Sequence, residues 1–485
     1  MDPRTAYILD YFRRIYRVPA EVEIGYGTRD RRINIHAGSG RFFDGDAPYP
    51  AEKVIWKSWR ERDIPVLFGG DPQQPLLTVE GGGAFIHHDL LAGAFYFLSG
   101  WQEYVFMRRH TALRYPHRDS LQARLDCAHL PVVNYYFDVL KQAVEQVYGL
   151  SLTLPAWGAQ PGALCLTHDI DKCRSGWRYD LFHRLKQGNL GAAGRIAVQK
   201  LGGRDSWFNI GEILDLEARY GAKSSFYFIA QQGNAYLHPG RETVERSVGE
   251  ALPEKQTAAD YFFRRSPGAI LQGYREKLEN ADYDIRTPQM REVFREIRSR
   301  GSEVGIHGSF GSHLSATQFM EEMTRFDEPV TGGRFHYLNF DITSGFELLA
   351  SQGIQYDSTL GFAEAPGFRN GIAFPFAPYH FKHNRPYPLL EIPLVAMDTT
   401  FRSYQHTPLP EILPEVKSLL EEALKFRGCL TILWHNAYFS PHKFAGWREI
   451  YEGILQEGRR RNLLLISGEE VCQRWLELIR MKDKG

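Results

Sequence analysis

The stretch Leu164-Cys165-Leu166-Thr167-His168-Asp169-Ile170-Asp171 joins a short apolar run to two acids that stand two residues apart. Residues 163–166 have the character of a buried strand, and in extended chain a spacing of two puts both carboxylates on the same side. Two carboxylates at the C-terminal end of a strand suit a site in which one binds a metal ion and the other acts as a base. For this motif alone, an Asx-type turn that closes the strand is the structural alternative.

From residue 163 onward, strand candidates alternate with helices that have clear start and stop signals. We predict strands at residues 163–167, 224–229, 303–307, 333–337, 355–357, 391–395, 429–434 and 462–466. This alternation favours an α/β layer or barrel of parallel strands. The long polar segment 231–286 breaks the pattern, and we predict a partly helical insertion near a site entrance, with a tolerated surface insertion as the alternative.

Residues 1–155 are predicted to form a smaller α+β domain, and residues 156–485 a second domain. Helix candidates cover residues 6–16, a long apolar segment from Asp89 to about Met107, and residues 131–148. Asp89 has the position of an N-cap rather than of a metal ligand. Residues 32–36 and 64–68 are short strand candidates, and the region holds no catalytic cluster.

The bulk composition excludes several classes of protein. Lys plus Arg equals Asp plus Glu at 58 each, so nothing calls for a nucleic-acid partner. The five cysteines are odd in number and lack paired spacing, which favours a reduced compartment over a disulfide scaffold. We see no signal peptide and no apolar segment of membrane-spanning length, and therefore expect a cytoplasmic protein of unknown oligomeric state without a transmembrane segment.

Polar side chains follow several of the predicted strands at the point where each strand ends. In a barrel of parallel strands these ends share one face, where active sites are built. Asp, His and Arg recur there too often for chance placement, which indicates a catalytic site. Besides Asp169 and Asp171, the candidates are His307, His313, Arg334, Tyr337, Asp357, Arg369, Trp434 and His435.

These motifs, in their order along the chain, resemble those of the polysaccharide deacetylases, the NodB-homology domains of carbohydrate esterase family 4. Residues 167–171 look like the first motif, and His307 matches the first histidine of the second. Residues 334–337 are similar to the third motif, Asp357 falls in the fourth, and residues 433–435 resemble the fifth. The resemblance covers about residues 163–480 and implies a distorted (β/α) barrel. Residues 1–155 resemble an uncharacterised domain that often precedes such deacetylases in bacteria.

The resemblance also implies roles for individual residues. Asp171 and His307 would bind a divalent metal, most commonly Zn²⁺ in this family, with His313 as the candidate third ligand. Asp169 would be the base, held by Arg334, and His435 the acid, oriented by Asp357. Tyr337, Arg369 and Trp434 are the candidates for substrate binding.

Three departures from the family pattern keep alternatives open. His168 stands where the family usually has an aromatic apolar residue. Gly311 stands where the family has its second ligand histidine, and His336 replaces the proline of the third motif. The function implied is hydrolysis of the N-acetyl group of a sugar or glycan, in surface polysaccharide synthesis for example. A catalytically silent relative that binds a glycan or a protein partner is the alternative, and hydrolysis of another acyl or amide substrate is the third.

Overall fold

The computed structural model describes residues 2–233 and 280–480. Most of the predicted insertion, residues 234–279, therefore lies outside the described residues. Within the described ranges, no helix has both the length and the apolar character needed to cross a membrane.

The N-terminal region, residues 2–155, combines helices with short strands. Its helices are α1 (Pro3–Ile15), α2 (Leu90–Leu98), α3 (Trp101–Arg109), α4 (Leu121–Arg124) and α5 (Val132–Tyr148). Its strands are β1 (Ile24–Tyr26), β2 (Ile33–Ile35), β3 (Ile55–Trp59), β4 (Arg62–Val66), β5 (Leu77–Glu80) and β6 (Gly83–Ile86). Four of them form a mixed sheet in the order β1-β2-β6-β5, and β3 pairs with β4 as a hairpin.

The predicted long helix after Asp89 is two helices. Asp89 caps α2 by accepting a hydrogen bond from the backbone N–H of Ala92 at 3.0 Å, so the N-cap prediction is confirmed. The helix ends at Leu98, and Gly100, with a left-handed φ of 69°, is the N-cap of α3. A side chain at residue 100 would also meet Ile342 at 2.5 Å, so the chain approaches the barrel closely at this break.

The second part of the chain is a parallel α/β barrel, which confirms the predicted fold class. Its strands are β7 (Ala163–Ile170), β8 (Ser225–Ile229), β9 (Glu303–Gly308), β10 (Gly332–Phe335), β11 (Tyr356–Asp357), β14 (Leu390–Glu391), β15 (Leu394–Met397), β16 (Cys429–Leu433) and β17 (Leu464–Ile466). They pair in the order β14-β11-β10-β9-β8-β7-β16-β15, and β17 adds beside the first half of β7. Only residues 392–393 separate β14 from β15, so one stretch of chain supplies both edges and the sheet curls into a distorted barrel.

Helices and a small hairpin surround this sheet. The helices are α6 (Gly176–Lys186), α7 (Leu190–Leu201), α8 (Ile210–Ala218), α9 (Pro288–Ser299), α10 (Ala316–Met323), α11 (Gly345–Ser351), α12 (Leu409–Leu424), α13 (Trp447–Arg460) and α14 (Gly468–Arg480). Strands β12 (Tyr379–His380) and β13 (Arg385–Pro386) pair antiparallel. Helix α9 starts with Thr287 as N-cap and Pro288 in the first turn, two residue types that favour a helix start.

The N-terminal region and the barrel share one hydrophobic core. Side chains of α1 and α5 belong to the same buried cluster as Tyr356 of β11 and Trp475 of α14. The Tyr11 hydroxyl donates to the carbonyl of Pro375, and the N–H of Val133 donates to the carbonyl of Gly371 at 2.7 Å. The N-terminal region therefore packs against the barrel as part of a common interior.

Candidate active site

The two acids of β7 lie at the C-terminal end of the strand and differ in their surroundings. Asp169 is buried, and its Oδ1 accepts a hydrogen bond from Nη1 of Arg334 at 2.9 Å. Arg334 is itself held by the carbonyl and hydroxyl of Ser358, at 2.7 and 3.0 Å. Asp171 is one third exposed, so its carboxylate faces the open end of the barrel. The pair thus comprises one fixed, buried carboxylate and one accessible carboxylate.

Three ligand-type side chains converge beside these acids. Among the described residues, Asp171, His307 and His336 form a group whose ligand atoms all lie within 4.8 Å of one another. Nε2 of His307 is 3.4 Å and Nε2 of His336 is 3.5 Å from Oδ1 of Asp171. Nδ1 of His307 lies 2.9 Å from the carbonyl oxygen of Arg334. That contact assigns the ring proton to Nδ1 and leaves the Nε2 lone pair directed at Asp171.

This group fits a metal ion by the state of its polar atoms. Oδ1 of Asp171, the oxygen that faces both imidazoles, is buried and has no hydrogen-bond partner in the described part of the chain. Buried polar atoms are normally satisfied, so such atoms beside a converging set of donors indicate a ligand. Two imidazole nitrogens and one carboxylate oxygen match the three protein ligands of a catalytic zinc, with a fourth position open.

His336 reaches the group because the chain turns back directly after β10. Tyr337 and Leu338 have φ angles of 61° and 54°, a left-handed conformation that costs a non-glycine residue roughly 1 kcal/mol or more. The ring of Tyr337 stacks on that of His336 with centroids 3.9 Å apart. Nη1 of Arg114, from the N-terminal region, donates to the Tyr337 carbonyl at 2.7 Å. Surrounding contacts therefore hold the strained turn that presents His336.

Arg114 also connects two further loops at this face of the barrel. Its Nη2 lies 3.1 Å from Oε1 of Glu364, in the loop after β11, and 3.1 Å from the hydroxyl of Tyr404, in the segment after β15. The neighbouring carbonyl of Leu113 accepts from the N–H of Phe340 at 2.8 Å. The N-terminal region thus contributes to the support of the site even though it holds no cluster of ligand-type side chains.

His435 lies at the opposite side of Asp171 and is oriented by Asp398. Nδ1 of His435 is 2.8 Å from Oδ1 of Asp398, and its backbone N–H donates to Oδ2 at 2.5 Å. Asp398 is fully buried, whereas the His435 side chain is 15% exposed. Nε2 of His435 is 3.9 Å from Oδ2 of Asp171. His435 therefore directs one nitrogen at its orienting acid and the other at the centre of the site.

The charges of the site shift its pKa values in opposite directions. Burial alone would raise the pKa of Asp171, but the imidazoles of His336, His307 and His435 hold it well below the usual range. Burial alone would lower the pKa of His435, but the attraction of Asp398, and then of Asp171 and Asp169, raises it to about 10. The arrangement thus favours an ionised carboxylate next to a protonated imidazole.

Two predicted residues lie elsewhere than we expected. His313 is buried on a short 3₁₀ helix, with its ring 6.1 Å from that of Phe335, and is not in the ligand group. Burial lowers its pKa to about 3. Asp357 uses its carboxylate to accept hydrogen bonds from the N–H and hydroxyl of Thr359 at 2.9 and 2.8 Å. The acid that holds His435 is therefore Asp398, not Asp357, and the third ligand-type residue is His336, not His313.

The three predicted substrate-binding residues also differ in their accessibility. Arg369 is 3% exposed and forms an ion pair with Glu103 of α3 at 2.6 Å, so it joins the two regions instead of facing the site. Trp434 is fully buried against Trp447 and Tyr451 and offers no face to a sugar. Of the three, only Tyr337 is partly exposed near His336.

Sequence reasoning missed His336 and Asp398 as site residues. Asp398 had the same signal as the other candidates, an acid directly after a strand, but the strand was predicted to end at residue 395 and it runs to Met397. His336 was noted only as a replacement for proline. The proximity of a histidine to Arg334 at a strand end was the available signal.

Comparisons with known proteins give a family match for the N-terminal region and distant structural alignments. Residues 2–149 match a family of unknown function, DUF7033. No curated protein matches the chain. A solved structure of a Mycobacterium smegmatis protein described as a polysaccharide deacetylase aligns at 13% identity and a TM-score of 0.34, over 66% of this chain and 92% of the other. A Puue allantoinase structure aligns at 13% identity and a TM-score of 0.38, over 68% and 95%. The functional argument therefore rests on the side chains of the site.

Proposed function

We propose that the chain is a metal-dependent hydrolase that removes the N-acetyl group of a sugar or glycan. The observation that carries the proposal is the convergence of two side-chain pairs and one group of three ligand-type residues at one end of the barrel. Asp169 is fixed by Arg334, His435 is fixed by Asp398, and the Asp171–His307–His336 group lies between them. A base, an acid and a set of metal ligands are the parts that hydrolysis of an amide requires.

Asp171, His307 and His336 are the residues proposed to hold the metal, and Zn²⁺ is the ion their donor atoms suit best. When bound, such an ion lowers the pKa of a water and polarises an acyl carbonyl. In the neutral ring of His307, the contact with the Arg334 carbonyl places the proton on Nδ1, so Nε2 is the nitrogen available to a metal.

Asp169 is proposed as the group that accepts a proton from the attacking water. Its Oδ1 is occupied by Arg334, which leaves Oδ2 toward the site, 3.6 Å from Nε2 of His307. The guanidinium orients the carboxylate through a charge-assisted hydrogen bond. A base that is fixed on one oxygen and open on the other can take a proton without first being reoriented.

His435 is proposed as the acid that protonates the leaving amine. The carboxylate of Asp398 keeps its imidazole protonated, since the pKa is raised to about 10. An amine leaves poorly as an anion, so an amide substrate gains more from this acid than an ester does. This distinction, together with the motif resemblance, favours an N-acetyl group as the target. A cytoplasmic location and a role in surface polysaccharide synthesis stay predictions.

The proposal is tested by acetate release from a panel of N-acetylated and O-acetylated sugars and oligosaccharides, with zinc supplied. We expect release from N-acetyl compounds by the wild type, and its loss in Asp169→Asn with metal content retained. Glu322→Gln, a buried carboxyl that contacts Ser309 and not the site, is the matched control and should remain active.

Three outcomes would overturn the proposal in different ways. Release confined to O-acetyl compounds would make the chain an esterase. Loss of metal in Asp169→Asn would mean that the roles of the two acids are exchanged. No release from any compound, combined with saturable glycan binding, would assign the chain to the class of catalytically silent binding proteins.

A further inference from the structure

Helices α6 and α7 form a hairpin that exposes apolar side chains to solvent. On α7, Leu190, Val198 and Leu201 are 70%, 68% and 89% exposed, and their spacing of eight and then three residues puts them on one helix face. On α6, Leu185 is 47% exposed. The opposite face of α7 packs inward through Ala192, Ala193 and Ile196. Since only ten large apolar side chains are exposed in the described part of the chain, their concentration on this hairpin is a specific feature.

The same hairpin is strongly basic although the whole chain has no net charge. Residues 172–204 contain eight Lys or Arg side chains and a single acid, Asp180. Asp180 is fully buried, so it does not neutralise the surface. Asp205 and Asp282 contact the base of the hairpin, at Lys200, the N–H of Trp177 and residues 173–175. The basic side chains that are exposed beside the apolar stripe are Arg178, Lys186, Arg195 and Arg204.

We propose that this hairpin docks the chain onto the surface of an anionic membrane. An exposed helix that combines a leucine and valine face with flanking Lys and Arg is the pattern of an interfacial helix, whose apolar face enters the headgroup boundary. The basic side chains add attraction to anionic lipids. An anionic bilayer offers an apolar interior beneath a negatively charged surface, which complements both kinds of exposed side chain. The bilayer is the partner that uses both the apolar and the basic side chains.

The hairpin is fixed to the side of the barrel that carries the candidate site. Asp180 accepts from the hydroxyl of Ser440 at 2.8 Å and from the N–H of Lys443 at 3.1 Å. Arg184 donates to the carbonyl of Pro441 at 3.0 Å. These residues belong to the segment that directly follows His435. Docking through the hairpin would therefore bring this end of the barrel to the bilayer surface, an inference that does not depend on the proposed hydrolysis.

Vesicle flotation of the full chain tests the proposal. We expect the wild type to float with phosphatidylcholine vesicles that contain roughly 30% phosphatidylglycerol, and not with pure phosphatidylcholine. The variant Leu190→Ser/Val198→Ser/Leu201→Ser should lose about tenfold or more in vesicle affinity, because apolar burial is removed. The variant Lys186→Gln/Arg195→Gln/Arg204→Gln should lose a similar amount, because the attraction to anionic lipid is removed.

A matched control replaces exposed apolar side chains elsewhere. Trp56→Ser/Met320→Ser/Leu409→Ser removes side chains that are 44%, 47% and 36% exposed, and should bind vesicles as the wild type does. Wild-type binding that is equal on both vesicle types, or equal binding by the wild type and both hairpin variants, would overturn the proposal. The proposal would also be overturned if the wild type self-associated without lipid and the hairpin variants did not, because a second copy of the chain would then cover the apolar face.

Discussion

Replacement of Asp398 by asparagine should remove the charge that keeps His435 protonated. The buried carboxylate contacts both the ring and the backbone N–H of His435, at 2.8 and 2.5 Å. Asparagine has nearly the same shape and can still accept one of these hydrogen bonds, so Asp398→Asn isolates the charge from the packing. Among the groups that raise the pKa of His435, Asp398 is the strongest.

The expected fall in the pKa of His435 follows from how far this pKa is raised in the wild type. Burial lowers the pKa of His435, yet its carboxylate neighbours raise it from 6.5 to about 10. A rise of this size corresponds to at most about 5 kcal/mol between the two protonation states. Asp171 and Asp169 supply part of it, so we expect Asp398→Asn to lower the pKa by about 2 units or more.

The sign of the effect also predicts how stability depends on pH. Because the folded-state pKa lies above the unfolded value, protonated His435 stabilises the wild type fully below pH 6.5, and this stabilisation is lost as pH rises through about 10. In Asp398→Asn the loss should be smaller and should be complete at lower pH, because only the folded-state pKa falls.

The direct assay is an NMR titration of the His435 ring in metal-free protein, with His435→Gln to assign the resonance. A pKa in Asp398→Asn that equals the wild-type value would refute the reasoning. A lowered pKa of His435 combined with unchanged deacetylation above pH 8 would support the electrostatic effect of Asp398 but would show that His435 is not the acid.

Three further predictions follow from buried contacts. Arg114→Met should weaken zinc binding by roughly tenfold, because the turn that presents His336 loses its support. The control Arg108→Met, which removes an exposed ion pair with Asp46 and a contact with the Tyr104 ring, should not, and equal zinc dissociation constants for the two variants would contradict this. Burial raises the pKa of Glu303 to about 7. Its ionisation should therefore lower the free energy of unfolding of the wild type by at most about 3 kcal/mol as pH rises from 4.5 through 7. Urea unfolding of Glu303→Gln should not show that decline. Arg369→Met should destabilise the fold by about 3 kcal/mol, because Glu103 is left buried without its partner, and thermal unfolding identical to the wild type would argue against it.

The barrel could be predicted from the sequence because its strands are buried on both faces. Such strands are continuous apolar runs, and most of the predicted strands differ from the observed ones by only one to three residues at their ends. The acids of β7 were predictable for a similar reason, since a spacing of two in extended chain fixes their common side. The prediction of a single strand at residues 391–395 was wrong, because Pro393 lies between two short strands that close the barrel.

The parts of the site that were not predicted depend on contacts between distant residues. His336 is presented by two left-handed residues that Arg114 supports from 223 positions away, and no local pattern encodes that contact. Arg369 has the type of side chain expected for substrate binding. Its local sequence does not show that its partner is Glu103 of the N-terminal region. The division into domains at residue 155 stays a prediction, and the shared core means that the two regions support each other.

The central claim is that Asp171, His307 and His336 form the metal site, and zinc affinity tests it most directly. Competition with a chelator should give one tightly bound Zn²⁺ per wild-type chain, and His307→Ala and His336→Ala should each weaken binding by roughly 10-fold or more. His313→Ala should bind as the wild type does, since His313 lies outside the ligand group. A loss of zinc in His313→Ala with His336→Ala unaffected, or a wild type that binds no divalent metal, would contradict the account.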